Sequence, residues 1–336
     1  MTATKLEPVL VIGGSGVVGS RAVKALRRLQ PDLPITIAAR DLGRAGALAA
    51  EIGGANTTTV NLEKPDLGLP AGARFSAVVV LLKDDSLNSM KYAQGAGVPY
   101  VSFSDFVFDI GPEVGLYIRR PASAPILLLG HFLGGTVTLA TLHFARELRR
   151  VDTIEIGAVF DEEDVGGPAA RGDMERVARG VPRPLLLREG KWLWADGADA
   201  RRTFRGVDGT AWHGQAYSLL DVVSLAAATD ARSIRLDFAL RPAASRPPGE
   251  GLSHEVIVEI EGERDDGARG RVRYTLVDGD VHSGLSGRGV ALAVERLLGL
   301  AGGPPVAPGI YHPEVLLDPA YVVERLRDFG TRIERA

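Results

Sequence analysis

The chain contains no cysteine among its 336 residues. Disulfides, thiolate nucleophiles, iron–sulfur clusters and cysteine-ligated zinc are therefore excluded. A dehydrogenase working through a thiohemiacetal is excluded with them. Long apolar runs are also missing. The longest, such as residues 78–82 and 126–129, are strand-sized and far short of the roughly 20 residues that span a bilayer. Charge of one sign is scarce as well: 39 basic residues face 42 acidic ones, a net of −3, with no basic tract to suit nucleic acid. Residues 1–10 carry one lysine and no apolar core of signal-peptide length, so the expectation is a cytoplasmic protein with no membrane partner.

Glycine is abundant, 41 of 336 residues against a usual 7% or so. Its densest run is informative. Val9-Leu10-Val11-Ile12 reads as a buried strand and leads into Gly13-Gly14-Ser15-Gly16-Val17-Val18-Gly19. Apolar residues then recur at helical spacing (Val18, Ala22, Ala25, Leu26, Leu29). Gly14, Gly16 and Gly19 match GxGxxG between a strand and a helix, the context a dinucleotide-binding loop requires. In such a loop one glycine permits the tight turn and the second lets backbone approach a pyrophosphate. The third lets helix and strand pack closely, and the helix N-terminus faces the anion.

The second strand ends in Ala38-Ala39-Arg40. An NAD site usually has a carboxylate there for the ribose diol, whereas Arg40 suits a 2′-phosphate, with Arg44 one turn further on. Asp41 has its own use as a helix N-cap, so the reading is NADP(H). The fourth strand ends in Leu82 and Lys83, which an open parallel sheet places at the ligand crevice. Lys83 can orient an anion or act as an acid. His131, at a later strand end after Ser102, Ser104 and Asp105, is the second candidate acid; a packed structural histidine is the competing reading. The other histidines (143, 213, 254, 282 and 312) show no ligand spacing, so no metal is expected. Asp161-Glu162-Glu163-Asp164 reads as a solvated, self-repelling loop, and Trp192, Trp194 and Trp212 as core residues. No tyrosine has a lysine four residues later, and no GxSxG elbow occurs.

Strands alternate with helices up to about residue 130, which predicts a Rossmann parallel sheet over residues 1–130. Residues 131–300 then read as an α+β domain with a mixed, largely antiparallel sheet. It opens with an amphipathic helix at 136–149 and has strands at 152–160, 233–240, 255–261 and 271–277. Residues 161–184, rich in glycine, proline and charge, read as a loop or mobile flap. A tail, 301–336, completes the chain.

These pieces, in this order, resemble the saccharopine dehydrogenase-like NAD(P)-binding oxidoreductases. The resemblance rests on residues 9–19, Ala38-Ala39-Arg40, Ala96-Gly97-Val98-Pro99-Tyr100-Val101, residues 129–140, Gly190-Lys191-Trp192, and residues 309–326 with Pro313-Glu314 and Leu317-Asp318-Pro319. It implies a Rossmann domain, a second domain whose sheet often dimerises, and a tail that packs back on the first domain. The implied chemistry is hydride transfer at a carbon–nitrogen bond of a small substrate. By position, Gly13, Gly14, Ser15, Gly16, Val17, Val18 and Gly19 hold the pyrophosphate and Arg40 the 2′-phosphate, while Leu82 and Lys83 lie near ribose and nicotinamide. Two departures, Ser102 in place of an acidic residue and His131-Phe132-Leu133-Gly134-Gly135 in place of a Gly-x-x-Pro-Gly turn, fall on the substrate side. An enoyl-type reductase of a lipid-like substrate and a non-catalytic NADP(H)-binding module are the alternatives.

Overall fold

A computed structural model describes residues 6–104, 106–164, 166–245 and 251–336. In chain order the elements begin with β1 (Val9–Ile12), α1 (Val17–Leu29), β2 (Ile35–Ala38), α2 (Leu42–Ile52), β3 (Ala55–Thr58), β4 (Ala77–Val80), α3 (Asn88–Ala96), β5 (Tyr100–Ser102), α4 (Gly111–Arg119) and β6 (Pro125–Leu128). Then come α5 (Thr136–Ala145), β7 (Arg150–Asp161), α6 (Pro168–Gly180), β8 (Leu185–Arg188), β9 (Lys191–Trp194), β10 (Arg201–Arg205), β11 (Ala211–Ala216) and α7 (Asp221–Ala228). Last are β12 (Ser233–Arg241), β13 (His254–Glu263), β14 (Arg269–Asp278), α8 (Val281–Leu297), β15 (Gly309–Tyr311), α9 (Pro313–Leu316), α10 (Pro319–Asp328) and β16 (Arg332–Arg335).

The chain divides into two compact units. The first comprises Met1–Gly130, Gly166–Met174 and Ser286–Leu317, and the second His131–Val165, Glu175–Leu285 and Asp318–Ala336. The first holds a seven-stranded parallel sheet in the order β15-β6-β5-β4-β1-β2-β3. Without β15 this is the doubly wound 3-2-1-4-5-6 order. β1, β2, β4 and β6 are buried at every position, as their almost wholly apolar sequences, broken only by Thr36 in β2, require of strands covered on both faces. The edge strand β3 has no buried position and carries little apolar pattern.

In the second unit the sheet runs β10-β11-β12-β7-β13-β14-β16, with β8 and β9 attached through β12. Among the described residues only β7 and β12 pair in parallel here; the other pairs are antiparallel.

Four differences from the sequence expectations have identifiable causes. The helix expected at 136–149 stops at Ala145 and is not amphipathic; residues 136–141 are buried consecutively. The expected flap contains α6, with a proline at its start where the missing N–H costs nothing. Residues 286–300, expected in the second domain, join 301–317 in the first unit, where Gly287 lets α8 press on α1: a β-carbon there would lie 2.6 Å from the Ala22 nitrogen. Residues 318–336 belong to the second unit rather than returning to the first. β16 pairs with β14, Ile333 opposite Leu276, and α10 packs on α5.

Candidate functional site

In an open parallel sheet, ligands bind beyond the carboxyl ends of the strands where the order reverses, here between β1 and β4. The glycine loop leaves β1 at that point. Gly13 takes φ +81°, a left-handed conformation that suits glycine, and its N–H donates to the Ala38 carbonyl at 3.0 Å. The Gly16 N–H turns back onto the Gly13 carbonyl at 2.9 Å. A β-carbon on Gly14 would lie 3.0 Å from the Val11 oxygen and 3.1 Å from Ile37 Cγ2; one on Gly19 would lie 2.2 Å from the Gly13 oxygen. The spacing therefore serves close approach of α1 to the loop. Gly16 is the N-cap of α1, its first turn holds no acidic residue, and no side chain caps it. A helix N-terminus left this way suits an anion.

Arg40 is exposed at the end of β2. Asp41 caps α2, its Oδ1 accepting the Gly43 and Arg44 N–H groups at 2.9 and 3.3 Å. That carboxylate is thereby committed to the helix. The Arg44 side chain folds over the loop and donates to the Ser15 carbonyl at 3.2 Å.

At the end of β4, the Leu81 N–H donates to the Ile12 carbonyl at 3.0 Å, and Leu82 Cδ2 lies 3.4 Å from the position of a β-carbon on Gly13. Leu82 thus borders the loop. The Lys83 ammonium lies 3.9 Å from both Asp109 Oδ1 and Glu113 Oε1, and Glu113 is wholly buried. Ser102 and Ser104 are buried near the ends of these strands, and Asp105 lies outside the described residues.

His131 belongs to the second unit. It is buried, and its Nε2 shares a 2.7 Å hydrogen bond with Ser224 Oγ on α7. Beside it the Asp221 carboxylate accepts from the Phe132 N–H and the Thr138 hydroxyl. His131 is thus fastened into a buried polar network.

The second unit holds a cluster that sequence reasoning missed. The Asp164 carboxylate accepts from His282 twice, from the backbone N–H at 3.1 Å and by sharing a 2.6 Å hydrogen bond with Nδ1. Burial by itself would raise the Asp164 carboxyl. The His282 hydrogen bonds and charge outweigh it and hold the group below the usual carboxylate range. His254 is fully buried nearby and is pulled down to about 3, by burial first and by His282 second. Of the acidic stretch read as a solvated loop, Glu162 and Glu163 are exposed as expected, whereas Asp161 is buried and the Asp164 side chain is nearly covered. Trp192 and Trp194, expected in the core, are exposed on β9; Trp212 packs on Phe204.

The strand order and glycine loop define a Rossmann-type unit, and the mixed sheet an α+β unit. This is the fold of saccharopine dehydrogenase. The chain resembles the apo, L-glutamate-forming enzyme from Saccharomyces cerevisiae with a TM-score of 0.68 at 15% identity, covering 98% of this chain and 100% of that one. More distant likenesses are an oxidoreductase from Agrobacterium radiobacter in complex with NAD+, L-tartaric acid and magnesium (TM-score 0.47, 11% identity, 98% of each chain) and a myo-inositol dehydrogenase from Corynebacterium glutamicum (TM-score 0.45, 13% identity, 98% of each chain). No family model and no curated protein matches the chain in sequence. Among the described residues no helix is long and apolar enough to cross a membrane.

Proposed function

We propose that the protein is an NADP(H)-dependent oxidoreductase that transfers hydride at the carbon–nitrogen bond of a small substrate, by imine reduction or secondary-amine oxidation. The observation that carries this reading is the pairing of an uncapped glycine loop at the switch point with Arg40 at the end of β2, while Asp41 is spent on capping α2. The residues fit the cofactor: Gly13, Gly14, Ser15, Gly16, Val17, Val18 and Gly19 would hold the pyrophosphate, and Arg40, with Arg44 beside it, the 2′-phosphate. Leu82 would border the nicotinamide ribose. The bound cofactor supplies the hydride.

Lys83 is held by Asp109 and Glu113, so its role is to keep a fixed positive charge at the mouth of the crevice. His131, tied to Ser224, serves the reaction only if that hydrogen bond opens. The carbon–nitrogen preference comes from the likeness to saccharopine dehydrogenase. A homodimer through the second unit's sheet and a cytoplasmic location belong to the same reading. The test is NADPH consumption by the purified protein with a panel of carbonyl-plus-amine pairs and preformed imines. Imine-dependent oxidation of NADPH is the expected result. Tight NADPH binding with no turnover on any member would leave a binding module instead.

A further inference from the structure

Trp192 and Trp194 stand one residue apart on β9, and each keeps about half of its surface exposed, 51% and 47%. Large rings left to water side by side mark an interaction surface. The β8–β9 hairpin turns at Glu189 and Gly190, both at positive φ, and pairs Leu187 with Trp192 and Leu185 with Trp194. Directly opposed residues share a face, so the two indoles lie beside two buried leucines. Leu193, between them, faces the other way with buried Leu186.

The backbone of β9 is open along the same strand. The Ala195 N–H donates to the Pro184 carbonyl at 2.8 Å, which makes residues 184 and 195 a hydrogen-bonded pair. Antiparallel pairs alternate between bonded and non-bonded. Residues 186 and 193, and 188 and 191, are therefore bonded, and the N–H and C=O groups of Trp192 and Trp194 point away from β8. Among the described residues β9 pairs with β8 alone, so those four groups form a free sheet edge. Exposed edges are usually blunted by prolines, bulges or charge. The β8–β9 pairing has no register shift, β9 has no proline, and its one charge is Lys191.

We propose that β9 is a dimerisation edge, pairing antiparallel with β9 of a second copy of this chain about a two-fold axis at Leu193. A two-fold interface joins a patch to itself, and this segment is self-complementary in that register. Leu193 meets Leu193 of the second copy, and Trp192 meets Trp194 of the second copy, twice over. Trp192 and Trp194 carry the outward groups, so each of these two pairs exchanges two backbone hydrogen bonds. The four indoles form one row across the axis, and cross-strand aromatic pairs stabilise a sheet. Lys191 faces Ala195 of the second copy, so no like charges oppose one another. A second copy thus brings both the strand and the rings that this edge can use. The area is small. Covering the exposed halves of four tryptophans removes roughly 300–500 Å² of surface, well under the roughly 1,200 Å² of a stable interface. The dimer is accordingly weak and reversible, half-formed at micromolar or higher concentrations. The homodimer included in the oxidoreductase reading gains a definite edge here, and that edge is independent of the cofactor.

The experiment uses the full chain in sedimentation velocity, from about 1 to about 200 µM. Wild type is expected to shift reversibly from monomer toward dimer across this range. The double variant Trp192→Thr/Trp194→Thr keeps β-propensity at two exposed positions. It should dimerise at least tenfold more weakly, with its circular dichroism unchanged. Register is read by cross-linking, which a chain without cysteine makes clean. Leu193→Cys places two thiols across the axis, with Cα atoms within the roughly 4.4–6.8 Å that a disulfide needs, and should cross-link into a dimer on mild air oxidation. Lys191→Cys places them about 13 Å apart, four residues of strand at roughly 3.3 Å each, and should not. A wild type that stays monomeric, a double variant that dimerises as wild type does, or Lys191→Cys cross-linking as readily as Leu193→Cys overturns the proposal. Calorimetric titration with NADPH separates this failure from that of the cofactor reading. A dimer without NADPH binding keeps the edge and removes the oxidoreductase; NADPH binding by a strict monomer removes the edge alone.

Discussion

A β-carbon on Gly19 would stand 2.2 Å from the carbonyl oxygen of Gly13, closer than any real contact of that kind. The first turn of α1 and the loop after β1 are thereby locked into one rigid piece. Gly19→Ala must push the helix away from the loop. Overpacking of this kind costs roughly 1–3 kcal/mol. The expected outcome is a lower Tm and NADPH affinity reduced at least tenfold, read by thermal melting and fluorescence titration. An unchanged affinity would detach the loop from cofactor binding.

Arg40 and Asp41 are neighbours with different duties. Asp41 accepts two backbone N–H groups at the start of α2, while Arg40 stands exposed at the strand end. A charge-assisted hydrogen bond is worth about 1.5–3 kcal/mol, roughly ten- to a hundredfold in affinity. Arg40→Ala should therefore lose that much NADPH binding and leave NADH binding nearly untouched. Equal losses for both nucleotides would count against the 2′-phosphate assignment. Asp41→Ala should instead lower stability by about 1 kcal/mol through the lost cap.

His254 makes folding stability depend on pH. In the folded chain its pKa is lowered from 6.5 to about 3, chiefly by burial. Between those values the unfolded chain binds a proton that the folded chain refuses, so stability rises with pH. Its contribution is fully present above about 6.5 and is lost as pH falls toward 3. Urea unfolding at pH 7.5 and pH 5 should show a loss of one to a few kcal/mol, diminished in His254→Phe. A variant with the wild-type pH slope would mean that His254 is not the titrating group.

Phe204 rests on bare backbone. A β-carbon on Gly157 would lie 2.5 Å from its ring, and one on Gly214 would lie 2.8 Å away. Gly157→Val should displace Phe204 from the buried group it forms with Val159, Ala239 and Ile257, at roughly 1–3 kcal/mol. Denaturant unfolding measures this; NADPH binding, which lies in the other unit, should persist.

Much of the first unit was legible because local patterns carried it. The apolar strands, the glycine loop and the Asp41 cap are each readable within a few residues. In the second unit the signals are weak or distant. β10 and β11 are largely exposed and rich in polar side chains, so no clear alternation marks them. α6 hides among glycines and charges that also suit a loop. Asp164, His254 and His282 lie 90 and 28 residues apart along the chain, and only the pairing of β7, β12 and β13 brings their surroundings together. Lys83 and His131 were singled out by their strand-end positions alone; their partners, Glu113 and Ser224, come from helices whose placement no short motif announces.

The central claim is that the first unit binds NADP(H). Titrating the purified wild-type chain with NADPH, and separately with NADH, tests it most directly, read by isothermal titration calorimetry. The account predicts saturable NADPH binding with one site per chain and NADH binding at least tenfold weaker. Absence of saturable binding by either nucleotide would contradict it.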